Sequence, residues 1–199
     1  MKKLIALLLS LLGVSTTVKS GTPEKSIILI EDNYLMVEFI SNKNINFAKK
    51  EIKRISKFGT DHQEGIGYSS ITEIKQIPIT TIELNISTEQ VMKLLESIGL
   101  VRYTKLMYFG MNGLTEISNP QSIVYGELKS GIFIEQKNNT VKHIWFDSQN
   151  WKELKKTKIL DGFKLLGENY DLILVDWASE QIVDLKSKSK IMQYISSQQ

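Results

Sequence analysis

Apolar runs along the chain predict most of its strands. Segments 26–31 and 34–40 are rich in isoleucine, valine and aromatic residues, and the short polar step between them predicts a hairpin. Three runs at 122–128, 131–136 and 140–146 are joined by connections of hairpin length, which predicts an antiparallel meander. Further strands are expected at 70–77 and 80–86 (or one strand bent at Pro78), 100–109, 172–175 and 181–185.

Apolar residues at helical spacing predict the helices. In segment 45–58 the apolar residues recur at the spacing of one buried helix face. Ser87 begins an S-x-x-Q capping box, and the helix that follows is expected to stop at Gly99. Two further helices are expected, one from Asp147 or Ser148 to about residue 166, with a break near Gly162, and one over 186–195.

These elements are interspersed without a regular βαβ repeat. That order predicts an α+β fold, mainly an antiparallel sheet with three to four helices packed on it. The length after residue 20 suits a single α+β domain over 21–199, and two packed halves, 21–99 and 100–199, are the alternative.

The first twenty residues have the chemistry of an export signal. Lys2 and Lys3 precede an apolar run over 4–14, and small polar residues follow it. The run would span roughly 16 Å as a helix, about half of a bilayer core. The sequence therefore predicts a signal peptide over 1–20, cleaved near Ser20, and a periplasmic or secreted bacterial protein.

Removing the leader changes the charge of the chain. The full chain has 25 basic and 22 acidic residues, a net charge of +3. The leader contains Lys2, Lys3 and Lys19 and no acid, so the remainder is formally neutral. A neutral chain lacks the basic footprint of nucleic-acid binding. The absence of cysteine excludes disulfides, thiol catalysis and a lipid-modified cysteine, so we expect a soluble mature protein without a stable membrane anchor.

The chain carries no motif that specifies a reaction. A nucleophile elbow, a phosphate loop and a dinucleotide fingerprint are all missing from it. Asp61, His62 and Glu64 lie together in the glycine-bearing segment 59–67 and are the candidates for acid–base chemistry. Neighbouring residues point in different directions and no second cluster completes a ligand set, so no metal site and no cofactor are expected. His143 is expected on the polar side of its strand.

Aromatic residues are the other candidates for a functional role. Tyr108 and Met111 fall in a segment rich in glycine and aromatic residues, and they are the candidates for binding a partner, although core packing would also explain them.

The sequence leaves three functions open. The first is an exported envelope protein that binds another protein, as an inhibitor or immunity-type factor. The alternative is a small periplasmic or secreted hydrolase using Asp61, His62 and Glu64. The third is a small-ligand carrier with an apolar cavity between helix and sheet. Because no catalytic set is assembled in the sequence, a binding protein is preferred to an enzyme.

Overall fold

The computed structural model describes residues 26–30, 33–64, 67–68, 72–110, 113–117 and 122–198, and the predicted signal peptide lies outside these ranges. The strands in chain order are Ser26–Leu29 (β1), Val37–Ser41 (β2), Gln63–Glu64 (β3), Gly67–Tyr68 (β4), Val101–Arg102 (β5), Lys105–Gly110 (β6), Gly113–Glu116 (β7), Ser122–Glu127 (β8), Ser130–Lys137 (β9), Thr140–Ser148 (β10), Leu172–Asp176 (β11) and Gln181–Asp184 (β12). The α-helices are Ile45–Asp61 (α1), Thr88–Ser97 (α2), Ile159–Tyr170 (α3) and Lys188–Ser197 (α4), with 3-10 turns at Asn42–Asn44 and Trp151–Lys156.

A seven-stranded sheet forms the centre of the fold. Its strand order is β12-β11-β2-β10-β9-β8-β5, and every neighbouring pair is antiparallel. A three-stranded sheet, β1-β6-β7, pairs β1 parallel to β6, and β3 and β4 form a two-stranded ribbon. The fold is therefore α+β with mainly antiparallel sheet, as the sequence predicts. Strand β2 lies between β10 and β11, so strands from both halves of the chain share the central sheet.

Helices α2, α3 and α4 cover the first face of the central sheet. Phe163 of α3 meets Phe39 and Phe146 edge to face, with ring centroids 5.2 and 4.9 Å apart. Such contacts add to the apolar burial that holds a helix on a sheet. Leu95 of α2 and Ile195 of α4 are fully buried in the same cluster.

Two different elements cover the second face. Helix α1 packs Ala48 and Ile52 against Ile40 and its neighbours on β11. The three-stranded sheet covers another part of this face. Its residues Ile27 and Leu106 belong to the cluster that contains the stacked rings of Phe133 and Trp145. Residues 72–82, here called the strap, run beside these elements without forming a helix or strand.

Most of the predictions that depend on local pattern are confirmed. Helix α1 continues to Asp61, and Ser87 caps α2 by accepting a hydrogen bond from the amide of Gln90. Gly99 follows α2 with a φ of +78°, the left-handed conformation expected of a helix-ending glycine. Strands β8, β9 and β10 form the predicted meander.

Predictions that depend on distant partners are wrong in three places. Strands β1 and β2 do not form a hairpin, because β1 pairs with β6 and β2 with β10 and β11. Residues 72–86 form no strand, since side chains rather than a ladder hold the strap. Asp147 and Ser148 end β10 instead of capping a helix.

The predicted break near Gly162 is also wrong, because helix α3 continues through this residue. Strand β7, which pairs with β6, is not predicted from the sequence. In the described ranges, no helix is both long and apolar enough to cross a bilayer.

Candidate functional site

Asp61, His62 and Glu64 lie at the C-terminal end of α1 and just beyond it. Asp61 pairs with Lys57 one turn earlier, at 2.5 Å. Nδ1 of His62 lies 2.9 Å from the carbonyl oxygen of Phe58, and the two rings stack with centroids 3.9 Å apart. Glu64 is exposed in β3. The described residues contain no group of three or more acidic or histidine side chains placed to hold a metal ion. The three residues make local contacts, and their catalytic role stays a prediction.

Tyr108 lies in β6, between Leu29 of β1 and Thr115 of β7, and its side chain is partly buried. Met111 lies outside the described residues. The prediction that these two residues bind a partner therefore stays untested.

A cleft of about 370 Å³ opens between the strap and the second face of the central sheet. Its floor includes Glu38 of β2 and His143 of β10. Its walls are largely apolar. The lining residues are Leu35, Glu38, Phe39, Ile40, Ile74, Lys75, Gln76, Ile77, Ile79, Thr80, Thr81, Ile82, Lys142 and His143. Asp61, His62 and Glu64 do not line it.

An ion pair between the buried Glu51 and the partly exposed Arg54 fixes the first half of the strap to α1. Glu51 accepts two hydrogen bonds from Arg54, at 2.6 and 3.0 Å, and one from the amide of Lys75, at 2.8 Å. The Arg54 guanidinium also donates to the hydroxyl of Thr72 and to the carbonyl of Glu73. The hydrogen bond from Arg54 lowers the pKa of Glu51, since it stabilises the ionised carboxylate. The Glu51 carboxylate therefore holds the strap, which has no backbone hydrogen bonds of a strand pair.

Asn44 and Thr81 fix the second half of the strap. The Asn44 amide group donates to the carbonyl of Ile79 at 2.8 Å and accepts from its amide at 3.1 Å. That arrangement copies the paired hydrogen bonds of neighbouring strands. The Thr81 hydroxyl donates to the carbonyl of Lys142 in β10. Because the strap is held at both ends, the cleft is formed before any ligand enters.

The floor of the cleft contains a carboxylate–imidazole pair. Nδ1 of His143 lies 3.3 Å from Oε1 of Glu38, whose residue is only 6% exposed. Since a carboxylate accepts hydrogen bonds, the geometry places the ring proton on Nδ1. Nε2 of His143 has no hydrogen-bond partner among the described residues. The imidazole is therefore oriented by Glu38 and keeps one nitrogen for other contacts.

A second carboxylate adjoins this pair. Glu135 lies opposite His143 in β9 and is 8% exposed, and it accepts a hydrogen bond from the phenol of Tyr34. Nζ of Lys142 lies 3.7 Å from Glu135. Burial raises the pKa of Tyr34, and the Glu135 hydrogen bond and the charges of Glu135 and Glu38 raise it further. Tyr34 is therefore a neutral donor that satisfies Glu135.

Sequence reasoning missed Glu38 and Glu135. A usable signal is present for Glu38, because it is the charged residue between apolar neighbours in β2. The signal for Glu135 is weaker, because this residue ends the apolar run of β9 and is followed by Gln136 and Lys137. A buried charge in such a run requires a partner. His143 was expected on the polar side of its strand, and that side is the floor of the cleft.

Comparison with protein-family models, with curated proteins and with solved structures finds no match for this chain.

Proposed function

We propose that this chain is an exported binding protein, and that a segment of another protein binds in the cleft beneath the strap. The observation that carries the proposal is the preformed apolar cleft with exposed apolar side chains along it. Ile74 and Ile82 both line the cleft and are 36% and 43% exposed. Exposed apolar side chains gathered at one concave place are typical of an interaction site.

The fixed strap supports tight binding. A site that is rigid before binding loses little conformational entropy when the partner docks. The hydrogen bonds of Glu51, Asn44 and Thr81 supply that rigidity. Within this proposal the binding protein is an inhibitor or immunity-type factor.

The hydroxyl groups of the cleft support binding over catalysis. Among the described residues that line the cleft, Thr80 and Thr81 carry the hydroxyls. Thr80 hydrogen-bonds the carboxylate of Glu83, and Thr81 donates to the carbonyl of Lys142. Neither hydroxyl is hydrogen-bonded to His143, as a serine-type nucleophile would be to its base.

Capture of a partner from a bacterial envelope extract tests this proposal. The bait is the chain from Gly21 with a C-terminal tag, and Ile82→Lys places a charge at the cleft. We expect this change to reduce capture of a stoichiometric protein partner about tenfold, the effect of losing roughly 1.4 kcal/mol.

Leu114→Lys is the matched control, because Leu114 is 49% exposed and lies on β7, outside the cleft. It should capture the partner as the unchanged protein does. Equal loss in both variants, or no stoichiometric partner with the unchanged bait, would overturn the proposal.

A further inference from the structure

The floor of the cleft offers a neutral hydrogen-bond acceptor. Glu38 accepts from Nδ1 of His143, so in the neutral ring Nε2 carries a lone pair and no hydrogen. The side chain of His143 is 29% exposed and lines the cleft, so it is accessible to a group that enters. An occupant that fills the cleft without supplying a donor would leave this nitrogen unsatisfied, at a cost in binding.

The largely apolar walls of the cleft disfavour a charged occupant. A charged side chain such as lysine or arginine would lose much of its hydration against these walls, at a cost in binding free energy. A carboxylate would enter beside Glu38 and has no hydrogen to donate to Nε2. The group that reaches His143 is therefore a neutral donor.

The apolar walls require that this donor be attached to a large apolar body. Ile74, Ile77, Ile79 and Ile82 supply most of that wall along the strap. Serine, threonine, asparagine and glutamine carry donors but little apolar surface, and leucine, isoleucine and phenylalanine carry no donor. Tyrosine and tryptophan combine an aromatic body with a single O–H or N–H donor, and both are enriched at the centres of protein interfaces. A cleft of about 370 Å³ is at the lower end of ligand-pocket volumes and has room for such a side chain.

We infer that the cleft binds a tyrosine or tryptophan side chain of the partner protein, whose O–H or N–H donates to Nε2 of His143. The inference rests on the proposed function for the source of that side chain. Within it, Glu38 is a positioning residue that fixes the orientation and tautomer of the imidazole, and His143 makes the contact.

Binding of the N-acetyl amides of tyrosine, tryptophan and phenylalanine tests the inference. Each amide is titrated into the isotope-labelled protein at pH 8.5, and binding is followed by NMR at His143. The tyrosine amide should bind about fivefold more tightly than the phenylalanine amide, which is about 1 kcal/mol and the usual worth of one hydrogen bond. The comparison between tyrosine and tryptophan shows which ring fits better.

His143→Leu removes the acceptor, and the preference for tyrosine over phenylalanine should fall to about one. His62→Leu is the matched control, because His62 does not line the cleft, and it should keep the fivefold preference. If His143→Leu does not fold, the unchanged protein alone still tests the inference. Its Nε2 resonance should move toward lower frequency on addition of the tyrosine amide and stay in place with the phenylalanine amide.

No preference for tyrosine in the unchanged protein, or a preference that persists in His143→Leu, would overturn the inference. Failure of the two proposals is distinguishable. A captured partner without a donor preference removes the inference alone. A donor preference without any captured partner removes the proposed function and the protein source of the side chain.

Discussion

Nδ1 of His143 lies 3.3 Å from Oε1 of Glu38, although the two residues are 105 positions apart in the sequence. The contact joins β10 to β2 in the central sheet, beneath the strap. It places a buried carboxylate and an oriented imidazole at the floor of an apolar cleft. The properties of this pair and of the strap above it lead to specific expectations.

Glu51→Gln should release the strap. We expect a loss of about 2 kcal/mol in the free energy of unfolding at pH 7, because hydrogen bonds to a buried ionised group are lost. Hydrogen exchange should be faster at the amide of Lys75, which donates to Glu51. The pKa of Glu51 is lowered in the folded state, so its contribution is full above about pH 4.5 and is lost as the pH falls through the folded pKa.

Urea unfolding of both proteins between pH 3 and pH 7 measures this difference. Glu89→Gln is the control, since Glu89 forms an exposed i,i+4 pair with Lys93 and should leave stability nearly unchanged. A stability difference for Glu51→Gln that is independent of pH would contradict the expectation.

Asp147→Asn should change the pH dependence of stability in the direction opposite to that of Glu51→Gln. Burial raises the pKa of Asp147 above its ordinary 3.8, although the amide of Ser148 and the side chain of Asn33 donate to it. A raised pKa in the folded state means that stability falls as the pH rises from about 3.8 through the folded value. Asparagine does not titrate, so the variant should gain stability relative to the unchanged protein between pH 4 and pH 7. Parallel stability curves for the two proteins would show that Asp147 is not buried as the fold requires.

Gly167→Ala should destabilise the protein even though alanine favours helix. A Cβ at Gly167 would lie 2.5 Å from Cβ of Leu185 and 2.9 Å from its carbonyl carbon, so α3 would have to move. Overpacking of this kind costs about 1–3 kcal/mol, more than the roughly 1 kcal/mol that the helix gains.

Gly162→Ala in the same helix is the matched variant. Its nearest atoms are methyl groups of Ile132, Leu95 and Leu100 at 3.1–3.3 Å, which can adjust by small rotations. Thermal unfolding should rank Gly162→Ala as the more stable of the two. The reverse order would contradict the packing of α3 on β12 and on Leu185, the residue that follows β12.

The sequence predicts the parts of the fold that depend on neighbours along the chain. Ser87 and Gly99 mark the ends of α2, and the short turns between β8, β9 and β10 specify the meander. It does not predict the partner of β1, because Ile27 could pack equally well in a hairpin with β2 or beside Leu106 of β6. Apolar strands carry little information about which distant strand they join.

The candidate site could not be predicted for the same reason. Glu38 is visible as a charge within an apolar strand, but its partner is placed by the pairing of β2 with β10. The strap alternates polar and apolar residues like a strand, yet Glu51 and Asn44 of a distant segment supply its hydrogen bonds. The acidic and histidine residues that are adjacent in the sequence, Asp61 and His62, instead make contacts within α1.

Nitrogen-15 NMR of the imidazole rings tests the central claim most directly, and the chain has only two histidines. At pH 8.5 we predict that His143 carries its proton on Nδ1 and that Nε2 is unprotonated, with Glu38→Gln altering this ring alone. His62 serves as the internal reference, because its Nδ1 lies 2.9 Å from a carbonyl oxygen and its spectrum should not change in that variant. A His143 ring protonated mainly on Nε2 in the unchanged protein would contradict the account, since the cleft would then present a donor where we place an acceptor.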